Sequence, residues 1–294
     1  MTSFKYGAHQ FLWIEHWTDA SLHILDEARD LGLDCFEISL GDDISFNPVP
    51  VRKRAEELGL ELSIGPGNVW PMECNISSEF LDNQRFGMAW HRRIIERAAE
   101  LGAVAYNGAT YGHPGHILRQ PKQYSELERV AQNLYQLAEF AQNLNVKLVI
   151  EPMSRFRTHL LHTAQEAVDL VSMVRHQNLL INLDTYHMIT EERDYASAIK
   201  TCGKALWGIH ACESDRGVPG GGLVPWNEVF GSLTDVCPQA RILMETYNTG
   251  EQGFGYRRGI FKDVCPDASV FVKNGLEFLK LIAEVVQQKD TRNG

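Results

Sequence analysis

A chain of 294 residues, 44% of them apolar, with a formal net charge of −10, has the size and core of one large α/β domain and lacks the basic face that a nucleic-acid partner requires. No apolar run approaches the roughly 20 residues of a membrane span. Six scattered cysteines (Cys35, Cys74, Cys202, Cys212, Cys237, Cys265) form no C-x-x-C pair or zinc spacing, and no signal peptide is apparent, so the expectation is a cytoplasmic protein with reduced thiols.

Short apolar strands alternate with longer amphipathic stretches along the whole chain. Lys5–Ala8 reads as a strand and Asp19–Leu31 as a helix stopped by Gly32. Cys35–Ser39 (strand), Val49–Leu58 (helix, stopped by Gly59) and Glu61–Gly65 (strand) follow, then a long helix over Ser78–Leu101 stopped by Gly102. Glycine after each Leu supplies the left-handed residue that ends a helix. Further strands fall at Val104–Asn107, Lys147–Ile150, Leu180–Leu183, Leu206–Ile209 and Arg241–Met244. Helices at Ser125–Leu144, Ala164–Arg175, Tyr195–Cys202 and Trp226–Val236 separate them, and a last helix covers Ala268–Val286. Ser125 and Glu128 have the spacing of a capping box, and Gln287–Gly294 reads as a frayed tail. Eight β-α units predict a closed (β/α)8 TIM barrel, read as one domain over residues 1–294. The competing doubly wound sheet would want a glycine-rich phosphate turn after the first strand, and Ala8-His9-Gln10-Phe11 is not one.

Glu151, Asp184, His210 and Glu245 each stand at the C-terminal end of a strand, about one β-α unit apart. Alone, any of them is a strand-end cap or a solvated loop side chain. Four in consecutive units meet at the face where barrel active sites are built. Three carboxylates converging there would repel without a cation, and carboxylates with one imidazole suit Mn²⁺, Mg²⁺ or Co²⁺. His187 lies just past Asp184, and Glu213 and Arg216 just past His210. The run Gly217–Gly222 is either a substrate-contacting turn or a plain surface loop. Phe11, Trp13, Trp70 and Tyr111 are candidate apolar walls for a sugar ring.

With these residues the chain resembles the D-tagatose 3-epimerase and D-psicose 3-epimerase family of the xylose-isomerase-like barrels. The resemblance runs through Cys35–Gly41, Asn182–Met188, His210–Trp226 and Met244-Glu245. It implies that Glu151, Asp184, His210 and Glu245 ligate one divalent metal, manganese first. It also implies that His187 and Arg216 bind the carbonyl end of a sugar-like substrate, with Glu213 behind them, and that the protein is a homodimer or homotetramer. The implied reaction is epimerisation at carbon 3 through a metal-stabilised enediolate, with Glu151 and Glu245 as catalytic acid and base. Aldose–ketose isomerisation and keto-polyol dehydration use the same site. A DNA-repair endonuclease would need more metal-binding histidines and a basic face, and a non-catalytic binding protein would show no rate with any polyol ketone. In one place the pattern breaks: Glu151-Pro152-Met153-Ser154-Arg155-Phe156-Arg157 ends in Arg157, where the epimerases carry a glutamate near the substrate. A fixed cation there suits a carboxylate or phosphate. The alternative for Arg157 is a surface ion pair or a subunit contact.

Overall fold

The computed structural model describes residues 2–67, 69–248, 250 and 253–293, with side chains through residue 288. Its eight parallel strands are β1 (Lys5–His9), β2 (Cys35–Leu40), β3 (Glu61–Pro66), β4 (Ala105–Gly108), β5 (Lys147–Ile150), β6 (Leu179–Asp184), β7 (Leu206–His210) and β8 (Arg241–Met244). They pair in sequence order, and β8 returns to β1, which closes the barrel. The helices outside it are α1 (His23–Asp30), α2 (Pro48–Leu58), α3 (Leu81–Glu100), α4 (Tyr124–Asn143) and α5 (Ala164–Val174) in the first half. The second half adds α6 (Thr185–Glu191), α7 (Tyr195–Cys202), α8 (Trp226–Val236), α9 (Phe254–Arg257) and α10 (Ala268–Asn293).

The predicted glycine stops hold: Gly32, Gly59 and Gly102 have φ of 90°, 66° and 68°. Other boundaries differ for local reasons. The first helical stretch opens as a 3-10 turn over Asp19–Leu22 before α1 begins. The expected capping box at Ser125 is absent because α4 starts one residue earlier, after Gln123, placing Ser125 inside its first turn. A capping box does form at α5, where Thr163 and Glu166 exchange bonds across the first turn. The last helix runs past Val286 to Asn293, over residues read as a tail; Gly294 lies outside the described residues.

The strands sort their side chains with period two. Outward residues such as Phe36, Ile64, Leu148, Ile209 and Ile242 join the main core with the helices. Inside the barrel, Cys35, Ala105, Val149, Trp207 and Leu243 form a separate apolar layer. Gly7 lies level with Cys35 and Leu243, and a Cβ there would come within 2.5 Å of the Cys35 sulfur. Below this layer, Glu61 binds Lys5 at 2.5 Å and Arg241 at 2.7 Å, closing the N-terminal end with an ion cluster. Above it, two residues further along four of the strands, stand Glu37, Asn107, Glu151 and Glu245. The apolar layer is therefore the floor on which a polar layer sits.

His210 reaches that polar layer through an irregularity. It is three residues beyond Trp207, so strict alternation would turn it outward. Ile181 and Asn182 of β6 are adjacent, yet they pair with Leu206 and Gly208 of β7. The extra residue in β7 shifts the alternation by one and re-aims His210 inward. Gly208 sits at that shift, and a Cβ on it would come 2.5 Å from the backbone oxygen of Arg241. We expect Gly208→Ala to push β7 off β8 and lower unfolding stability by about 1–3 kcal/mol, the usual cost of overpacking a tight site. Urea unfolding curves that overlay those of the wild type would refute this.

Candidate active site

At the top of the barrel, the buried ring of His210 joins the two glutamates. Its Nδ1 lies 3.1 Å from Glu151 Oε1 and 3.5 Å from Glu245 Oε2. Its Nε2 points the other way, 3.2 Å from Glu37 Oε1 and 3.2 Å from the amide nitrogen of Asn107. Glu37 in turn accepts from the Ser63 hydroxyl at 2.8 Å. Asp184 connects through Arg216, whose guanidinium reaches Asp184 Oδ2 at 2.9 Å and Glu245 Oε2 at 3.0 Å. It also donates to the Cys212 sulfur at 2.7 Å and lies 4.3 Å from the Tyr186 ring centroid. Glu151, Asp184, His210 and Glu245 are thus brought into one buried cluster. Asp184 also caps α6, accepting from the Tyr186 N–H at 2.8 Å.

The electrostatics follow from burial against neighbouring charge. Burial raises the Glu151 carboxyl above the ordinary carboxylate range, with His210 opposing the rise. Burial would raise Glu245 as well, but Arg216 and His210 hold it far below. For His210, burial disfavours the cation, and Glu151, Glu37 and Glu245 outweigh it, so its pKa rises. His187 falls to about 4 because burial disfavours its charged form. Its Nε2 is 3.7 Å from Asp184, and its Nδ1 has no partner among the described residues.

A cavity of about 130 Å³ opens above the cluster, lined by Glu37, Glu151, His210, Glu245, Phe11 and Trp70, with Arg157 and Arg258 among its other walls. Asp184, His187 and Arg216 are buried behind that lining. Of the four expected apolar walls, Phe11 and Trp70 serve. Trp13 instead packs on Phe36 at 5.5 Å, and fully buried Tyr111 donates to the Glu151 carbonyl at 3.0 Å. Glu213, expected behind His187 and Arg216, holds the turn that follows Arg216. It accepts from the N–H groups of Ser214, Gly220 and Val224 and from the Trp226 indole, at 2.9–3.0 Å. The Gly217–Gly222 run is folded around this carboxylate, and a Cβ on Gly222 would come 2.6 Å from it.

The closed parallel barrel that carries this buried cluster is shared with known proteins at the level of sequence and fold. A family profile described as xylose isomerase-like TIM barrel matches residues 25–263. The chain belongs to the xylose isomerase-like TIM barrel family. Within that family it is 30% identical over 270 residues to a D-psicose 3-epimerase of Ruminiclostridium cellulolyticum, covering 90% of this chain and 91% of that one. It is 28% identical over 288 residues to a D-psicose 3-epimerase of Agrobacterium fabrum, covering 95% and 99%. A solved L-ribulose 3-epimerase superimposes with a TM-score of 0.92 at 25% identity, covering 99% of this chain and 98% of that chain. A D-psicose 3-epimerase solved in the presence of D-fructose gives 0.85 at 28%, covering 95% and 99%. These xylose isomerase-like relatives are epimerases, and the chain is an enzyme of their isomerase class.

Sequence reasoning missed the β1–β4 side of the site, where His9, Glu37, Ser39, Ser63 and Asn107 lie. The available signal was Glu37, a carboxylate in the middle of the apolar strand Cys35–Leu40. For Glu213 the expected outcome is structural. Glu213→Gln turns an NH₂ toward donors that now meet an oxygen. At about 1.5–3 kcal/mol for a hydrogen bond to a charged group, stability should fall by about 2–4 kcal/mol in urea unfolding. An unchanged midpoint would show that the loop does not depend on this carboxylate.

Proposed function

We propose that the chain epimerises a ketose or related sugar derivative at carbon 3, with Glu151 and Glu245 as the proton-transfer pair. One observation carries this reading. The two carboxylates leave β5 and β8, three strands apart around the eight-stranded ring. They meet at the same ring nitrogen of His210, 3.1 Å and 3.5 Å away. The named activities of the relatives support it.

The donor set fits a divalent cation. Asp184 offers an oxygen within 4.8 Å of ligand atoms on Glu151 and His187, and likewise of Cys212 and Glu245. Its Oδ2 is buried and has no aligned hydrogen bond, although Arg216 is an ion-pair neighbour. Cys212 is the weaker candidate, because its sulfur already receives Arg216 and oxygen donors favour Mn²⁺, Mg²⁺ or Co²⁺. His210 is the stronger histidine, because Glu37 can accept from its far nitrogen and leave Nδ1 facing the glutamates. Glu151, Asp184, His210 and Glu245 would hold the ion, manganese first. When bound it supplies a Lewis acid for negative charge developing on the substrate oxygens.

The chain's own residues move the proton. One glutamate takes the proton from carbon 3, the C–H electron pair becomes a C2–C3 double bond, and charge collects on the carbonyl oxygen. The other glutamate returns a proton to the opposite face of carbon 3, which inverts it. Arg216 fixes Glu245 and Asp184 and has N–H groups left for the carbonyl end, and His187 offers an unpartnered ring nitrogen nearby. Phe11 and Trp70 give the sugar an apolar wall. A cytosolic setting agrees with six free thiols and with the absence, among the described residues, of a helix long and apolar enough to cross a membrane. The dimer or tetramer implied by the family resemblance is checked by light scattering.

Deuterium should enter carbon 3 of a ketose when the metal-loaded enzyme works in D₂O. Glu151→Gln and Glu245→Gln should each lower kcat by about 10²–10⁴-fold, the usual share of general acid–base catalysis. A variant with full metal content and near-normal rate removes that residue from the pair. Elemental analysis should find one divalent ion per chain, and chelation should abolish exchange. Full activity after chelation would eliminate the metal.

A further inference from the structure

The two loops that carry the proposed proton-transfer glutamates each carry two arginines further out. In the loop after β5, Arg155 forms a bidentate pair with Glu191, at 2.9 Å through both Nε and Nη2. In the loop after β8, Arg257 pairs with Glu15 of the loop after β1. These two arginines strap their loops to neighbouring elements. The other two, Arg157 and Arg258, are half-buried and line the cavity. Neither has a carboxylate within ion-pair distance among the described residues. Arg157 therefore does not make the surface pair that would have explained it away; Arg155 does.

Arg258 is held by ring faces, its Cζ 5.5–5.7 Å from the centroids of Phe11, Tyr247 and Phe254. Cation–π contact uses the flat face of a guanidinium and leaves the N–H groups at its edge free. Both Arg157 and Arg258 act electrostatically on Tyr247, whose hydroxyl is 3.4 Å from Glu245. Both cations line the cavity that also holds Tyr247, Glu151 and Glu245. Charge balance points the same way. Arg216 and a divalent ion together offset three of the four carboxylates Glu37, Glu151, Asp184 and Glu245, so Arg157 and Arg258 leave one surplus positive charge at the mouth. A chain with net charge −10 has no general attraction for anions, so this surplus is local.

We infer that Arg157 and Arg258 form an anion-binding subsite at the cavity mouth, and that the enzyme's ketose substrate carries a phosphate or carboxylate group there. The inference rests on the epimerase reading for its ketose and on the two arginines for its anion. Guanidinium forks suit both anions, so the substrate arms must tell them apart.

The test compares the metal-loaded wild type with Arg157→Gln and Arg258→Gln in D₂O. Each protein receives D-fructose, D-fructose 6-phosphate and D-fructuronate, and deuterium uptake at carbon 3 gives kcat/KM for each sugar. One anionic ketose should exceed D-fructose at least about tenfold, the scale of a charge-assisted hydrogen bond, and its identity names the anion. Each variant should lower that ratio at least about fivefold. Independently of turnover, inorganic phosphate without sugar should raise the wild-type thermal midpoint and raise that of either variant less. The inference is overturned if D-fructose is handled as well as both anionic sugars, or if the variants keep the wild-type ratio. If no sugar takes up deuterium, the epimerase reading fails instead. The phosphate shift then decides the subsite alone, and equal shifts in wild type and variants overturn it.

Discussion

Four carboxylates, Glu37, Glu151, Asp184 and Glu245, converge in the barrel mouth, and their mutual repulsion is the constraint on which the surrounding structure depends. Unpaired charges in such a place would be prohibitive, and a buried pair is tolerated only when its remaining hydrogen-bonding capacity is met. Two cations meet it. His210 lies between Glu37 on one side and Glu151 and Glu245 on the other. Arg216 lies between Glu245 and Asp184. Both are held from outside the cluster. His210 depends on the register shift between β6 and β7. Arg216 takes a left-handed φ of 64°, a conformation that a non-glycine residue keeps only when its surroundings over-determine it. Here the surroundings are its carboxylate partners, the Tyr186 ring, and a backbone bond of 2.9 Å to the Glu213 carbonyl. The Glu213 side chain gathers the glycine-rich turn, so the turn, Arg216 and the acids form one connected unit.

Half of this unit was legible in the sequence, and the division has a physical cause. Glu151, Asp184, His210 and Glu245 stand where an apolar strand ends, so a polar residue there is conspicuous, and the barrel's repeat brings all four together. His9, Glu37 and Asn107 do the same work from within their strands. Their meaning depends on which face of the strand points inward, and composition does not show that. The inward turn of His210 was invisible for a related reason, since alternation counted from Trp207 assigns it to the outer face. Helix ends marked by glycine were readable because a left-handed residue is a local requirement. The start of α4 was not, because the helix begins at Tyr124 without a side-chain cap to mark it. Glu213 was placed behind the substrate-contacting residues by the family resemblance, and the sequence did not show which groups it binds. Its four donors show that nearness in sequence to a ligand does not fix the direction of a side chain.

The architecture separates the buried acids and His210 from the arginines at the cavity mouth. The acids and His210 are borne on strands, and each shares a partner with another, so none can be exchanged without leaving a buried charge uncompensated. Arg157 and Arg258 are borne on loops, and each loop is tied down by a different arginine, Arg155 or Arg257, bonded to a different acid. A change at Arg157 or Arg258 therefore alters the potential at the cavity mouth and leaves both the loop anchors and the buried charge network in place. A barrel built this way can keep one proton-transfer apparatus while the charge of its accepted sugar changes. Arg157 and Arg258, without a carboxylate partner among the described residues, are where the inferred change would be made. They line the same cavity as the pair of glutamates, so an anion held between them would keep the sugar's distal end at the mouth and its carbonyl end at the floor. Specificity and orientation would then come from the same two side chains.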